Sequence, residues 1–233
     1  MSDTSSDTAN DIGVILPTAA PPGFSPDSAA MTKIDGRESV LRCMEMYANR
    51  PGIAQIIVTI NQADAEEIKR KIGSHLIFMG VKLVQAGPSW VEQLAAAQKV
   101  LKAEAEHVLV HDAGRPAVPY TDLDRLTERA GKHPAIALAR QIRGTLAKTK
   151  IVPGPAEFAS IDAAEVLGVT LYDRATFDAV AAGKGPTTIE LIDGSPLNLR
   201  CGWADAGVVK AMALLLPKPK VKAPSSPFEE AQW

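Results

Sequence analysis

Asp112 and Arg115 stand three residues apart, just past an apolar run, in VLVHDAGRPAVPYTDLDRL, Val108 to Leu126. A carboxylate and a guanidinium at the end of a buried strand suit a phosphate-bearing ligand. Asp112 could orient a Mg²⁺-bound nucleotide or a ribose hydroxyl, and Arg115 could hold a phosphate through two parallel N–H groups. The same pair could instead fix a turn as a salt bridge, and spacing alone leaves both readings open. His111 reads as a support for the strand end rather than a catalyst. His75, His107 and His133 show no ligand spacing, so no metal site built by protein side chains is expected. Cys43 reads as a core residue of a helix, and Cys201 follows Arg200. Two cysteines exclude a disulfide framework and a four-cysteine zinc site.

Strand and helix patterns alternate around this segment. Strands are expected at Ile12 to Leu16, Ile53 to Ile60, Val81 to Gln85, His107 to His111, Ala135 to Ala139, Thr188 to Ile192 and Leu197 to Arg200. Helices are expected at Arg37 to Ala48, Ala63 to Ile72, Val91 to Ala105, Thr121 to Ala130 with Thr121 as N-cap, and Ala204 to Leu216. Repeated strand–helix–strand order predicts an α/β fold of three layers, a mostly parallel central sheet with helices on both faces. Ligands of such sheets sit at the carboxyl ends of the strands, so the loops after Leu16, Ile60, Gln85, His111 and Ala139 should carry the site.

The chain has 233 residues, 46% apolar and 22% charged, which fits one packed domain and excludes general disorder. With 25 basic and 27 acidic residues, the net charge of −2 argues against coating nucleic acid or an anionic membrane by bulk charge. Only 5% is aromatic, against an aromatic platform for nucleic acid. No apolar run approaches the roughly 20 residues that span a bilayer, and residues 1–11 are polar without a leader pattern. A cytoplasmic protein is expected, with a mobile segment at 1–11, one domain at 12–216 and a Pro-rich tail at 217–233 in which Phe228 and Trp233 could act as anchors.

The wording of the central segment goes further. HDAGRP at His111 to Pro116 resembles the HDAARP signature of the 2-C-methyl-D-erythritol 4-phosphate cytidylyltransferases, of the sugar-nucleotidyltransferase-like superfamily. GRESVLRCMEMYANRPGIAQIIVTIN, Gly36 to Asn61, is similar to the helix and central strand after that family's nucleotide loop. RQIRGTLAK, Arg140 to Lys148, is similar to the stretch holding its threonine, and GSPLNLRCGWADAGVVKAMALL, Gly194 to Leu215, to its closing segment. Order and spacing match from about Ile12 to Leu216. The resemblance implies a Rossmann-like nucleotidyltransferase that transfers CMP from CTP to 2-C-methyl-D-erythritol 4-phosphate, or a related pentitol phosphate, in isoprenoid precursor synthesis. Pyrophosphate is released. It implies Mg²⁺ arriving with CTP, Asp112 being its one possible protein ligand. A homodimer is implied through an arm at Ile151 to Gly168. It assigns Arg200, Lys33 and Asp112 to catalysis and Asp112, Arg115 and Thr145 to the acceptor. Pro17, Thr18, Ala19, Ala20, Gly23, Gly87 and Gln93 fall to the nucleotide.

The chain departs from that pattern in its first loop, ILPTAAPPGFSPDSAAMTKIDG. The family's glycines, whose N–H groups wrap a triphosphate, are replaced by Ala20 and Pro22, and neither Pro21 nor Pro22 has an N–H. The loop arginine has no counterpart. The family's lysine position falls on Ala30, with Lys33 three residues late. Trp90 and Gln93 replace an arginine and a serine, Gly144 replaces an aspartate, and the stretch from Leu171 to Thr188 is short. An alternative therefore stands beside catalysis: a superfamily member that binds a ligand or partner without turnover.

Overall fold

The computed structural model describes residues 11–24, 26, 29–142, 146–148, 157–159, 164–186, 188–202, 207, 211, 212, 214 and 216. In chain order the elements are β1 (Ile12–Pro17), β2 (Lys33–Ile34), β3 (Arg37–Glu38), α1 (Ser39–Tyr47), β4 (Ile53–Asn61), α2 (Ala65–Phe78), β5 (Lys82–Ala86) and α3 (Trp90–Gln98). There follow β6 (His107–His111), α4 (Tyr120–Thr127), β7 (Ala135–Gln141), β8 (Leu146–Lys148), β9 (Glu157–Ala159), β10 (Ala164–Asp173), α5 (Arg174–Ala181) and β11 (Glu190–Asp193).

Seven strands form the central sheet in the order β11-β7-β10-β6-β1-β4-β5. All pairings are parallel except those of β10, which runs antiparallel between β6 and β7. Successive side chains of a strand point to opposite faces, and the core follows that period. Val14 and Leu16 of β1, Val58 of β4 and Leu109 of β6 pack against α1, α2 and α4. Ile15, Ile57, Val108 and Val110 point the other way, onto Leu94 and Ala97 of α3 and Phe177 of α5. The three-layer α/β expectation holds. Among the described residues no helix is long and apolar enough to cross a membrane.

Several boundaries differ from the sequence expectations. Asp35 (φ 49°) and Gly36 (φ 79°) are both left-handed, the backbone of a tight hairpin turn, so Arg37 and Glu38 pair with Ile34 and Lys33 and α1 begins only at Ser39. Ala63 belongs to a 3₁₀ turn at Gln62–Asp64, and α2 then runs past Ile72 to Phe78. Thr121 is not the N-cap of α4: Pro119 holds that place, and its carbonyl accepts from the N–H of Asp122 at 3.0 Å. Helix α3 stops at Gln98, because the following backbone finds other partners. Gln55 Oε1 accepts from Lys102 N at 2.9 Å, and Arg174 donates to the carbonyls of Lys102 and Ala105 at 3.1 and 3.2 Å. Leu197 to Arg200 is no strand, since its backbone bonds to loop and side-chain groups instead. Thr188 lies before β11 rather than in it.

Beside the short pairs β2–β3 and β8–β9, the strand β10 and the helix α5 were not expected. Of the proposed arm at 151–168, residues from Ala164 onward belong to the central sheet, and Glu157–Ala159 pairs antiparallel with Leu146–Lys148. The remainder of that arm, residues 1–10 and the tail at 217–233 lie outside the described residues. Of the last expected helix, residues 207, 211, 212 and 214 are helical and 216 is a bend; its other positions lie outside the described residues.

Candidate functional site

Strand β6 delivers the site. HVLVH is buried through its last four residues, and the chain then turns sharply: the N–H of Arg115 donates to the carbonyl of Asp112 at 2.9 Å. Asp112 is buried, its N–H donating to the carbonyl of Gly168 on β10 at 2.8 Å. Its Oδ1 accepts from the N–H of Gly114 at 2.9 Å, and its Oδ2 from Nε of Arg200 at 2.8 Å. Nε of Arg115 lies 3.6 Å from the same Oδ2. One carboxylate thus sits between two guanidinium groups. Burial pushes the Asp112 carboxyl above its ordinary value, against the pull of Arg200, the Gly114 N–H and Arg115.

Arg200 comes from the far end of the chain. The segment after β11 is pinned where Cys201 N–H donates to the carbonyl of Gly114 at 2.8 Å, and the Cys201 thiol is buried against the carbonyls of Gly114 and Ala29. Burial raises its pKa, which makes it a poor nucleophile. The Phe24 ring lies over the Arg200 guanidinium, 4.8 Å from its carbon, so the first loop reaches the cluster through a cation–π contact.

Arg115 is buried too. Nη1 donates to the carbonyl of Asn198 at 2.8 Å, and Nη2 approaches Oε1 of Glu165 at 3.4 Å. Glu165 also pairs with Arg140 at 2.7 Å. Charges therefore alternate from Arg140 through Glu165, Arg115 and Asp112 to Arg200. Gly168 makes room for this: at φ +70° it is left-handed, and a Cβ there would stand 2.7 Å from Cδ of Arg115 and 3.1 Å from Cβ of Asp112. His111 supports the turn, as expected. A backbone carbonyl can only accept, so His111 Nε2–H donates to Arg115 O at 2.9 Å, and the Tyr47 hydroxyl donates to Nδ1 at 2.8 Å.

A second group of expected residues gathers beside the first. Pro17 ends β1, and its carbonyl accepts from Ala113 N–H at 3.3 Å. The N–H groups of Thr18 and Ala19 donate to Oε1 of Gln93 at 2.9 and 3.1 Å. Gly23 is left-handed at φ +90°, in the turn where Phe24 N–H donates to Pro21 O, with Ala20 just before that turn. Gly87 lies against the Glu92 carboxylate, which bonds Ser89 in a capping box at the start of α3. A cleft of about 350 Å³ is lined by Pro21, Pro22, Trp90, Leu94 and Tyr172 together with Arg115.

Asp112, Arg115 and Arg200 are thus brought together. Lys33 sits on the hairpin, two-thirds exposed, its ammonium 3.9 Å from Glu38. Thr145 lies outside the described residues. Sequence reasoning missed Glu165, Gly168 and Asn198. The first two lie on the unexpected strand; Asn198 stood in the segment expected as a strand, where a backbone acceptor has no side-chain signature. Among the described residues no three metal-ligating side chains cluster. Each Asp112 oxygen already receives one donor.

Comparison with known proteins adds a lineage to this geometry. A model of the family described as 2-C-methyl-D-erythritol 4-phosphate cytidylyltransferase matches residues 26–164. A protein of that description from Rhodopirellula baltica is 24% identical over 218 residues, 82% of this chain and 90% of that protein. One from Vibrio vulnificus is 29% identical over 118 residues, 49% of this chain and 48% of the relative. Among solved structures, 4-diphosphocytidyl-2C-methyl-D-erythritol synthase from Anaerococcus prevotii superposes with a TM-score of 0.69 at 15% identity, covering 88% of this chain and 97% of its own.

Proposed function

This chain belongs to the 2-C-methyl-D-erythritol 4-phosphate cytidylyltransferase family, and from that premise we propose that it transfers CMP from CTP to 2-C-methyl-D-erythritol 4-phosphate or a related pentitol phosphate. The observation that supports the reading is the buried Asp112 carboxylate held between Arg200 and Arg115 at the carboxyl end of β6. In the reaction an acceptor phosphate oxygen attacks the α-phosphorus of CTP. A new O–P bond forms, the bond to the β-phosphate oxygen breaks, and pyrophosphate leaves with that electron pair. Such a displacement needs alignment and positive charge rather than covalent help. Arg115 and Arg200 supply the charge, and Asp112 sets the direction of Arg200. Mg²⁺ belongs to this proposal as an ion carried by the CTP phosphates. So does a homodimer, which sedimentation would test.

The assay is pyrophosphate release from CTP with Mg²⁺ and either acceptor. Turnover should require the acceptor, and Arg200→Ala should lower kcat by about 10²–10³ as a transition-state cation is lost. No turnover above blank at saturating CTP would overturn the reading.

A specific feature favours a second reading, a member that binds without turnover. Pro21 and Pro22 have no N–H to offer a phosphate, and the N–H groups of Thr18 and Ala19 are bonded to Gln93. Calorimetric titration separates the two: Mg²⁺-dependent CTP binding at micromolar concentration supports the transferase, and its absence supports the binder.

A further inference from the structure

Gln93 occupies an unusual place for a polar side chain on a helix. It is 1% exposed, at the end of the first turn of α3. Its Oε1 accepts from three donors on two other elements: Thr18 N at 2.9 Å, Ala19 N at 3.1 Å and Thr59 Oγ1 on β4 at 3.2 Å. A carboxamide oxygen has two lone pairs, so three converging donors saturate it. The Thr59 carbonyl receives the Thr18 hydroxyl at 3.0 Å and shares the Thr18 N–H at 3.1 Å, so Ala19 N–H is the backbone donor that rests on Gln93 alone. Among the described residues, Nε2 has no recorded acceptor. Helix α3 is itself fixed by the Ser89–Glu92 capping box.

We propose that Gln93 is a positioning residue for the first loop. Through Oε1 it fixes the backbone at Thr18 and Ala19, and with it the course of Pro21 to Phe24, whose ring lies over Arg200. Pro21 and Pro22 cannot donate, so beyond the Thr18–Thr59 backbone bond it is the carboxamide that holds the chain at Ala19. The two N–H groups are thereby spent inside the protein. Phosphates must be met by side-chain cations and by N–H groups further along. This deepens the transferase reading and rests on it for its kinetic part.

Gln93→Leu removes the acceptor at similar size, whereas Gln93→Glu keeps an oxygen for the three donors and removes Nε2–H. Amide exchange at Ala19, normalised to the Leu109 amide in the core of β6, reads the anchor without any substrate, and Thr18, which keeps the Thr59 carbonyl, serves as the neighbouring control. Exchange at Ala19 should rise roughly 10- to 100-fold in Gln93→Leu, the range expected when a donor loses its acceptor, and stay near wild type in Gln93→Glu. KM for CTP should rise by about 10-fold in Gln93→Leu and recover in Gln93→Glu, with KM for the acceptor unchanged. Unchanged Ala19 exchange in Gln93→Leu would overturn the proposal. So would a Gln93→Glu protein that keeps this amide protected yet binds CTP as poorly as Gln93→Leu, because the role would then lie in Nε2 touching the nucleotide. If wild type shows no turnover, the transferase reading fails, and the exchange measurement still decides the role of Gln93.

Discussion

Acid should weaken this protein through one ring. His111 is fully buried at the end of β6, Nε2–H on the Arg115 carbonyl, Nδ1 receiving the Tyr47 hydroxyl, the two rings edge to face at 5.7 Å. Burial lowers its pKa from 6.5 to about 4. The folded state resists a proton that the unfolded chain accepts near 6.5. Between those values the unfolded state binds more protons, so stability is full above pH 6.5 and falls as the pH drops toward 4. A fall of that size corresponds to about 3 kcal/mol, a large part of a typical domain's 5–15. Protonation would also put an N–H on Nδ1, facing a buried hydroxyl that must then turn away. Urea unfolding from about pH 7 to about pH 4 reads the effect, with His111→Gln as the reference because its carboxamide can serve both partners without titrating. Wild type should lose about 3 kcal/mol more than the variant across that window. Equal losses, or a His111 ring that titrates near its ordinary value by NMR, would refute the reasoning.

Gly168→Ala should cost about 2–4 kcal/mol, from a left-handed backbone plus a methyl forced onto Arg115, and denaturant unfolding would show it. Pyrophosphate release should fall in the same variant, since Arg115 and Asp112 are the atoms displaced. Phe24→Leu removes the ring over Arg200, so KM for CTP should rise about 2- to 5-fold, matching a contact of about 0.5–1 kcal/mol; an unchanged KM would mean that the loop is held elsewhere.

The parallel half of the fold was legible because its strands are apolar runs bounded by turn residues. HVLVH and IAQIIVTI need no partner to be read. Strand β10 was not, because AEVLGVTLYD mixes a glutamate, a glycine and a tyrosine, and its extended state depends on β6 and β7 on either side. Ala-rich α3 was over-read because propensity knows nothing of Gln55 and Arg174 waiting to bond the chain after Gln98. In the site, Asp112 and Arg115 were legible from their types just past a strand end and Arg200 only through the family resemblance, and the fold brings the three side chains together. Glu165 was not, since an acidic residue gains meaning only when folding sets it between Arg115 and Arg140. Gln93 was assigned to the nucleotide by position, whereas its carboxamide oxygen is bonded within the protein.

The place of β10 in the sheet has a consequence for how the molecule assembles. Strands β5, β4, β1 and β6 form one contiguous block, β7 and β11 another, and β10 alone is hydrogen-bonded to both. It leaves the ribosome after β6 and β7 but before β11, so the block ending at β6 and the strand β7 must wait for it to slot between them, a non-local closure that slows folding. The same strand carries Gly168 and Glu165 to Asp112 and Arg115. Arg200 follows later still, so the cation cluster matures only after that closure, and a nascent chain ending before Ala164 would lack Glu165, Gly168 and Arg200 and have no finished binding centre.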